Sequence, residues 1–167
     1  MSSRQEAQKT MKKVLGELFM EAKSPTIEYK GVTVHAAVFR HVKKPGRFMV
    51  RFIKAIPEPI QALRINLAKG ALTISELADV DPGDPKIILR LDTCPDVVEV
   101  HYRPPRKGGR LTFYNAWINE QDQIDAWIMH AGMIVEETEK KILLGCSDGI
   151  GEPTFDDLIV EIEFLDD

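Results

Sequence analysis

The residues in this chain best suited to chemistry are carboxylates gathered in two loops. The stretch 147–163, SDGIGEPTFDDLIVEIE, places Asp148, Glu152, Asp156 and Asp157 around Gly149 and Gly151. A hard divalent cation needs several oxygen ligands at once, and glycines let a backbone fold round it. Upstream, residues 119–125 (NEQDQID) supply Asn119, Asp122 and Asp125. In a meander of antiparallel strands alternate loops lie at the same end of the sheet, which can bring the two clusters together. Asp122, Asp125, Asp148, Asp156 and Asp157 are then the candidate metal ligands, and calcium the expected ion. The same residues have a plainer use, because Asp folds Asx turns and an Asp pair at a strand entrance guards a sheet edge.

Trp117 and Trp127 bracket the first acidic loop. With Asn119 beside them, and Tyr114, Asn115 and Gln121 near, they are the candidate ligand-binding residues of a stacking platform whose amides read sugar hydroxyls. Against this, both tryptophans sit in apolar runs, and at alternate positions Trp127 shares a strand face with Met129, Ala131, Met133 and Val135, as a core residue does. Arg106 lies in RPPRKGGR, residues 103–110, with Arg103, Lys107 and Arg110. Such a loop holds an anion or an acidic partner surface, or is simply solvated.

Nucleophilic catalysis finds little support. Cys146, Ser147 and Asp148 are adjacent, but neighbouring side chains do not make a triad, since the base must reach the nucleophile from elsewhere in space. His35, His41, His101 and His130 stand singly, without metal-ligand spacing. The chain lacks P-loop, GxGxxG and HExxH patterns. A hydrolase would require His101 or His130 to meet a carboxylate or Cys146 in a pocket.

These residues must be positioned by strands. The chain has 167 residues with 44% apolar and 29% charged, one domain's worth of ordinary globular composition. Its net charge of −4 argues against a phosphate-backbone binder, so no nucleic acid is expected. Two cysteines, Cys94 and Cys146, do not make a disulfide framework. The N-terminus has no apolar stretch fit for a signal peptide, and no window suits a membrane span. A cytoplasmic location is the default expectation, with export by another route left open.

Met11, Val14, Leu15, Leu18, Phe19 and Ala22 recur at helical spacing, which predicts an amphipathic lead-in helix over 1–24, ended by Ser24-Pro25. Its stripe is expected to pack on the domain's own sheet. From residue 26 the period becomes two. Strands are expected within 26–42 and at 48–53, 71–74, 86–91, 97–102, 111–118, 126–137, 142–146 and 157–165, separated by turn residues. Residues 60–80 are open between an edge strand and a short helix. The fold class is therefore mainly β: an antiparallel β-sandwich of about 8–10 strands, with 26–167 forming the sandwich of a single domain.

One segment resembles known sequences. Phe155-Asp156-Asp157-Leu158-Ile159-Val160 is similar to the D-x-D-F-[ND]-D-[LV]-[VI] signature near the end of several bacterial β-sandwich domains of unknown function, some associated with calcium. Thr154 stands where that signature carries an acidic residue. The resemblance implies Asp156 and Asp157 as calcium ligands. The sequence thus points first to a non-catalytic binding module, calcium-dependent and directed at a carbohydrate or protein partner. A self-associating structural protein, a homo-oligomer without a small ligand, is the second reading. An uncharacterised hydrolase is the third.

Overall fold

The structure is a computed structural model and describes residues 13–77 and 81–165. It is an antiparallel β-sandwich with one short helix. The helix α1 (Leu15–Ala22) precedes β1 (Thr26–Tyr29), β2 (Val32–His35), β3 (Val38–Val42), β4 (Gly46–Ala55), β5 (Ile60–Leu67), β6 (Ala71–Ile74) and β7 (Lys86–Arg90). Then come β8 (Val97–Arg103), β9 (Gly109–Ile118), β10 (Ile124–Asp125), β11 (Gly132–Glu137), β12 (Lys141–Ser147) and β13 (Leu158–Leu165).

The larger sheet runs β1-β2-β11-β12-β13-β4-β8-β6, and the smaller β10-β9-β5-β7. Strand β9 organises the smaller sheet. One flank pairs with β5 from Leu111 to Ile118, and the other is shared by β3 at 109–113 and β10 at 117–118. Inward residues recur with period two, as a sheet with one buried face requires. Phe48 and Val50 of β4, Ile142, Leu144 and Cys146 of β12, and Leu158, Val160 and Ile162 of β13 meet Leu63, Ile65, Leu67, Leu111 and Phe113 of the smaller sheet. Phe48 contacts Phe113 edge-on across the core, ring centroids 5.4 Å apart. On the outer face of the larger sheet Arg51 pairs with Glu161 and Glu163 at 3.2 and 2.9 Å, and Arg47 with Glu99 at 2.8 Å. Such half-exposed pairs add little stability.

Several expectations change in detail. Thirteen strands form among the described residues, more than the 8–10 expected, because 26–42 is three strands and Ile60–Leu67 and Ile124–Asp125 are strands as well. Lys30 and Gly31, both left-handed, close a tight β1–β2 hairpin, and the chain then crosses to the other sheet at Ala36–Ala37. Within 60–80, Ile60–Leu67 is a strand flanked on both sides, by β9 and β7, rather than an edge strand or a helix.

The strand expected over 126–137 begins only at Gly132. Residues 126–131 are an irregular loop in which Trp127 and Met129 take left-handed backbone conformations, φ 61° and 54°. Trp127 therefore does not share a strand face with Met129. Strand β9 lies in the other sheet from β11, β12 and β13, so the final meander consists of those three strands.

Helix α1 covers the later part of the expected helix, and Met11 with the rest of 1–12 lies outside the described residues. Lys23, left-handed at φ 52°, ends it by donating its N–H to the carbonyls of Phe19 and Met20. The stripe packs on the domain itself: Leu15 is buried with Ile27 and Val34, and Leu18 and Phe19 pack beside them.

Candidate functional site

The buried polar residues of the described chain, Gln61, Asn115, Ser147 and Asp148, all lie at one end of the sandwich. They stitch the two sheets together. Gln61 on β5 donates from Nε2 to Asp148 Oδ2 at 3.0 Å, and to the Pro59 carbonyl at 3.1 Å. Asn115 on β9 donates from Nδ2 to the Ser147 carbonyl at 2.9 Å. The loop 148–157 is clipped by the same residues. Asp148 Oδ1 accepts the Ile150 N–H at 2.9 Å, Asp157 Oδ2 accepts the Asp148 N–H at 2.9 Å, and Ser147 Oγ accepts the Phe155 N–H at 2.6 Å. Burial, together with the charges of Asp148 and Asp156, holds the Asp157 carboxyl above its ordinary range. Buried polar groups satisfied in this way fix one arrangement of the loops above them.

What they hold is a groove of about 980 Å³ lined by Pro57–Ile60, Trp117–Asp122, Asp125, Ile128, Met129 and Ile150. A hollow of about 460 Å³ adjoins it at Pro57 and Ile60 and is lined also by Lys54, Gln61, Asp92 and Asp96. The apolar side chains here are unusually open to solvent: Ile128 is 45% exposed, Met129 49% and Ile150 56%. A left-handed conformation costs an ordinary L-residue roughly 1–2 kcal/mol. Trp127 and Met129 adopt it on either side of Ile128. The Gly16 N–H, donated to the Met129 carbonyl at 2.8 Å, fastens this turn to α1.

The sequence-derived candidates distribute as follows. The two acidic loops line one groove, Asn119 to Asp122 and Asp125 from the first and Ile150 from the second. Their carboxylates do not converge: among the described residues no three acidic, histidine or cysteine side chains form a metal-holding group. Asp148 is buried and hydrogen-bonded to protein donors, Asp156 pairs with Lys54 at 3.2 Å, and Asp122 pairs with Arg90 at 3.4 Å. Asp125 accepts from Asn119 Nδ2 at 3.2 Å, while Asn119 Oδ1 caps the turn by accepting the N–H groups of Gln121 and Gln123, each at 2.9 Å. The Thr154 hydroxyl, and after it the hydrogen-bonded Lys54 ammonium, hold the Asp156 carboxyl below its usual range.

The two tryptophans are not a joint platform. Trp117 points into the sandwich and is 2% exposed, because odd-numbered β9 residues face the core. Trp127 lies on the outer side of the smaller sheet, stacked on Tyr114 at 4.1 Å between centroids, and donates from Nε1 to the Ala36 carbonyl at 2.8 Å. It lines a separate shallow hollow with Phe19, Met20 and Phe39. Arg106 is exposed in the β8–β9 turn and lines neither depression described above. Gln61 escaped the sequence reading. The available signal was a polar residue at an inward position of an otherwise apolar strand, in step with Leu63, Ile65 and Leu67.

Comparisons with protein-family models, with curated proteins and with solved structures find no match to this chain. The chemistry of the site therefore rests on its own geometry. Cys146 is fully buried and its thiol is pushed far up by burial, so it stays protonated. His101 sits on β8 opposite Arg47 and Thr73, its Nε2 3.7 Å from Glu99, whereas His130 belongs to the 126–131 loop.

Proposed function

We propose that the chain is a non-catalytic binding module that docks a segment of another protein in the groove at this end of the sandwich. The observation that carries the reading is the exposed apolar group Ile128, Met129 and Ile150, held outward by a left-handed turn and by a loop clipped to the buried Gln61–Asp148 pair. Apolar side chains grouped in a concave surface and rimmed by polar residues mark interaction sites. A peptide suits this lining better than a carbohydrate, because the Trp117 ring that a sugar would stack on is enclosed. Calcium enters as a test and not as a premise. The oxygens of Asp148 and Asp157 accept protein donors, and the likeness to the calcium-associated signature rests on the 154–160 segment alone.

The test is a random-peptide phage library panned on the protein, with the Ile128→Glu/Ile150→Glu variant as counter-selection. The module reading expects clones that are enriched on the native chain and lost on the variant, with the variant's Tm preserved. No enrichment, or equal retention by the variant, refutes it.

A further inference from the structure

Resting on that reading, we infer that the groove takes a basic peptide segment carrying apolar side chains. The argument is charge complementarity laid over the apolar floor. Glu58, Glu120, Asp122 and Asp125 line the groove, and Asp92 and Asp96 line the adjoining hollow. The cations near them are already engaged: Arg90 binds Asp92 at 3.0 Å and Asp122 at 3.4 Å, and Lys54 binds Asp156 at 3.2 Å. Glu58 and Glu120 are exposed at the rim, and Asp125 meets an amide and not a cation.

Arg64 lies over Tyr114 and Arg110 over Phe39, on the outer face of the smaller sheet. The end of the sandwich is thus an acidic rim around Ile128, Met129 and Ile150. A segment with lysine or arginine alternating with leucine-like residues satisfies both features. Its apolar side chains leave water against the floor, and its cations meet Glu58, Glu120 and Asp125, which pair with no cation among the described residues. An acidic segment would meet repulsion at every rim position.

The measurement uses three labelled twelve-residue peptides followed by fluorescence anisotropy. One alternates lysine and leucine, one replaces each lysine by serine, and one replaces each lysine by glutamate. The lysine peptide is expected to bind, to weaken as salt rises, and to lose about tenfold in affinity on Glu58→Gln/Glu120→Gln, at a few-fold per exposed pair. It should lose binding on Ile128→Glu/Ile150→Glu.

Equal binding of the serine peptide, still abolished by Ile128→Glu/Ile150→Glu, overturns the basic partner and leaves the module standing. Binding that ignores both sets of substitutions overturns the groove. A concentration-dependent dimer that dissociates on Ile128→Glu/Ile150→Glu would seat a second copy there and overturn the peptide. Failure of all three peptides together with an unenriched library removes the module reading itself.

Discussion

Replacing Asp148 by alanine tests the polar stitch under the groove most directly. The substitution removes two acceptor contacts, one to Gln61 Nε2 at 3.0 Å and one to the Ile150 N–H at 2.9 Å. Ile150 is exposed, so water can replace its lost partner. Gln61 is fully buried and its Oε1 already lacks a partner, so water cannot easily rescue its amide. Losing a hydrogen bond to a charged group costs about 1.5–3 kcal/mol, partly offset by relief from burying a carboxylate. A net loss of roughly 2 kcal/mol for Asp148→Ala corresponds to about 4–8 °C in Tm for a chain this long. The decisive assay is a double-mutant cycle with Gln61→Ala, read by thermal unfolding at neutral pH. Removal of Gln61 alone leaves a buried charge short of a donor, so the pair should couple by about 1.5–2 kcal/mol. A coupling below about 0.5 kcal/mol, the scatter of independent sites, would show that the two sheets are not joined through this contact.

Three further outcomes follow from the same region. Asp157 has a folded-state pKa raised by burial, so between the ordinary carboxylate value and that raised value the folded chain binds more protons than the unfolded one. Its contribution to stability then falls as pH rises. Asp157→Asn, which still accepts the Asp148 N–H, should melt higher than the native chain at neutral pH, with the gap closing toward about pH 4; a gap independent of pH would refute the assignment. Thermal unfolding in EDTA and in millimolar calcium should give the same Tm, and a rise lost in Asp156→Asn/Asp157→Asn would instead place an ion in the loop. Gly149→Ala puts a methyl 2.7 Å from Trp117 and 2.9 Å from the Ile128 carbonyl. It should cost about 1–3 kcal/mol by overpacking and shift the Trp117 emission, read in a Trp127→Phe background. An unperturbed spectrum would separate the two loops.

Strands were legible wherever one face is buried and turn residues bound the run. Leu111–Ile118, Ile142–Cys146 and the final strand from Leu158 stand close to where alternation puts them. The turn 126–131 was not legible, because Ala126-Trp127-Ile128-Met129 has the apolar content of a strand and nothing local announces that it is turned outward. That orientation is imposed from afar, by the Ala36 carbonyl on the Trp127 indole and by the Gly16 N–H on Met129. The two acidic loops line one groove, but the meander that was to bring them together does not include β9, which belongs to the other sheet. The fate of their carboxylates was not legible, since Lys54, Arg90 and Gln61 come from 30 or more residues away in sequence.

Leu15, Ile27 and Val34 form a small core of their own, apart from the main one. Strand β2 meets β11 at one ladder pair, His35 opposite Met133. A unit so lightly attached opens sub-globally, at a free energy below that of complete unfolding. Its attachment includes the Gly16–Met129 hydrogen bond, and Met129 also lines the groove. If the groove takes a ligand as proposed, occupancy and opening are linked equilibria. A ligand that grips the closed form slows amide exchange through residues 15–35, and whatever loosens those residues weakens the ligand by the same factor. On the proposed function the helix and hairpin would act as a tensioner on the groove, reporting its state without touching the bound partner.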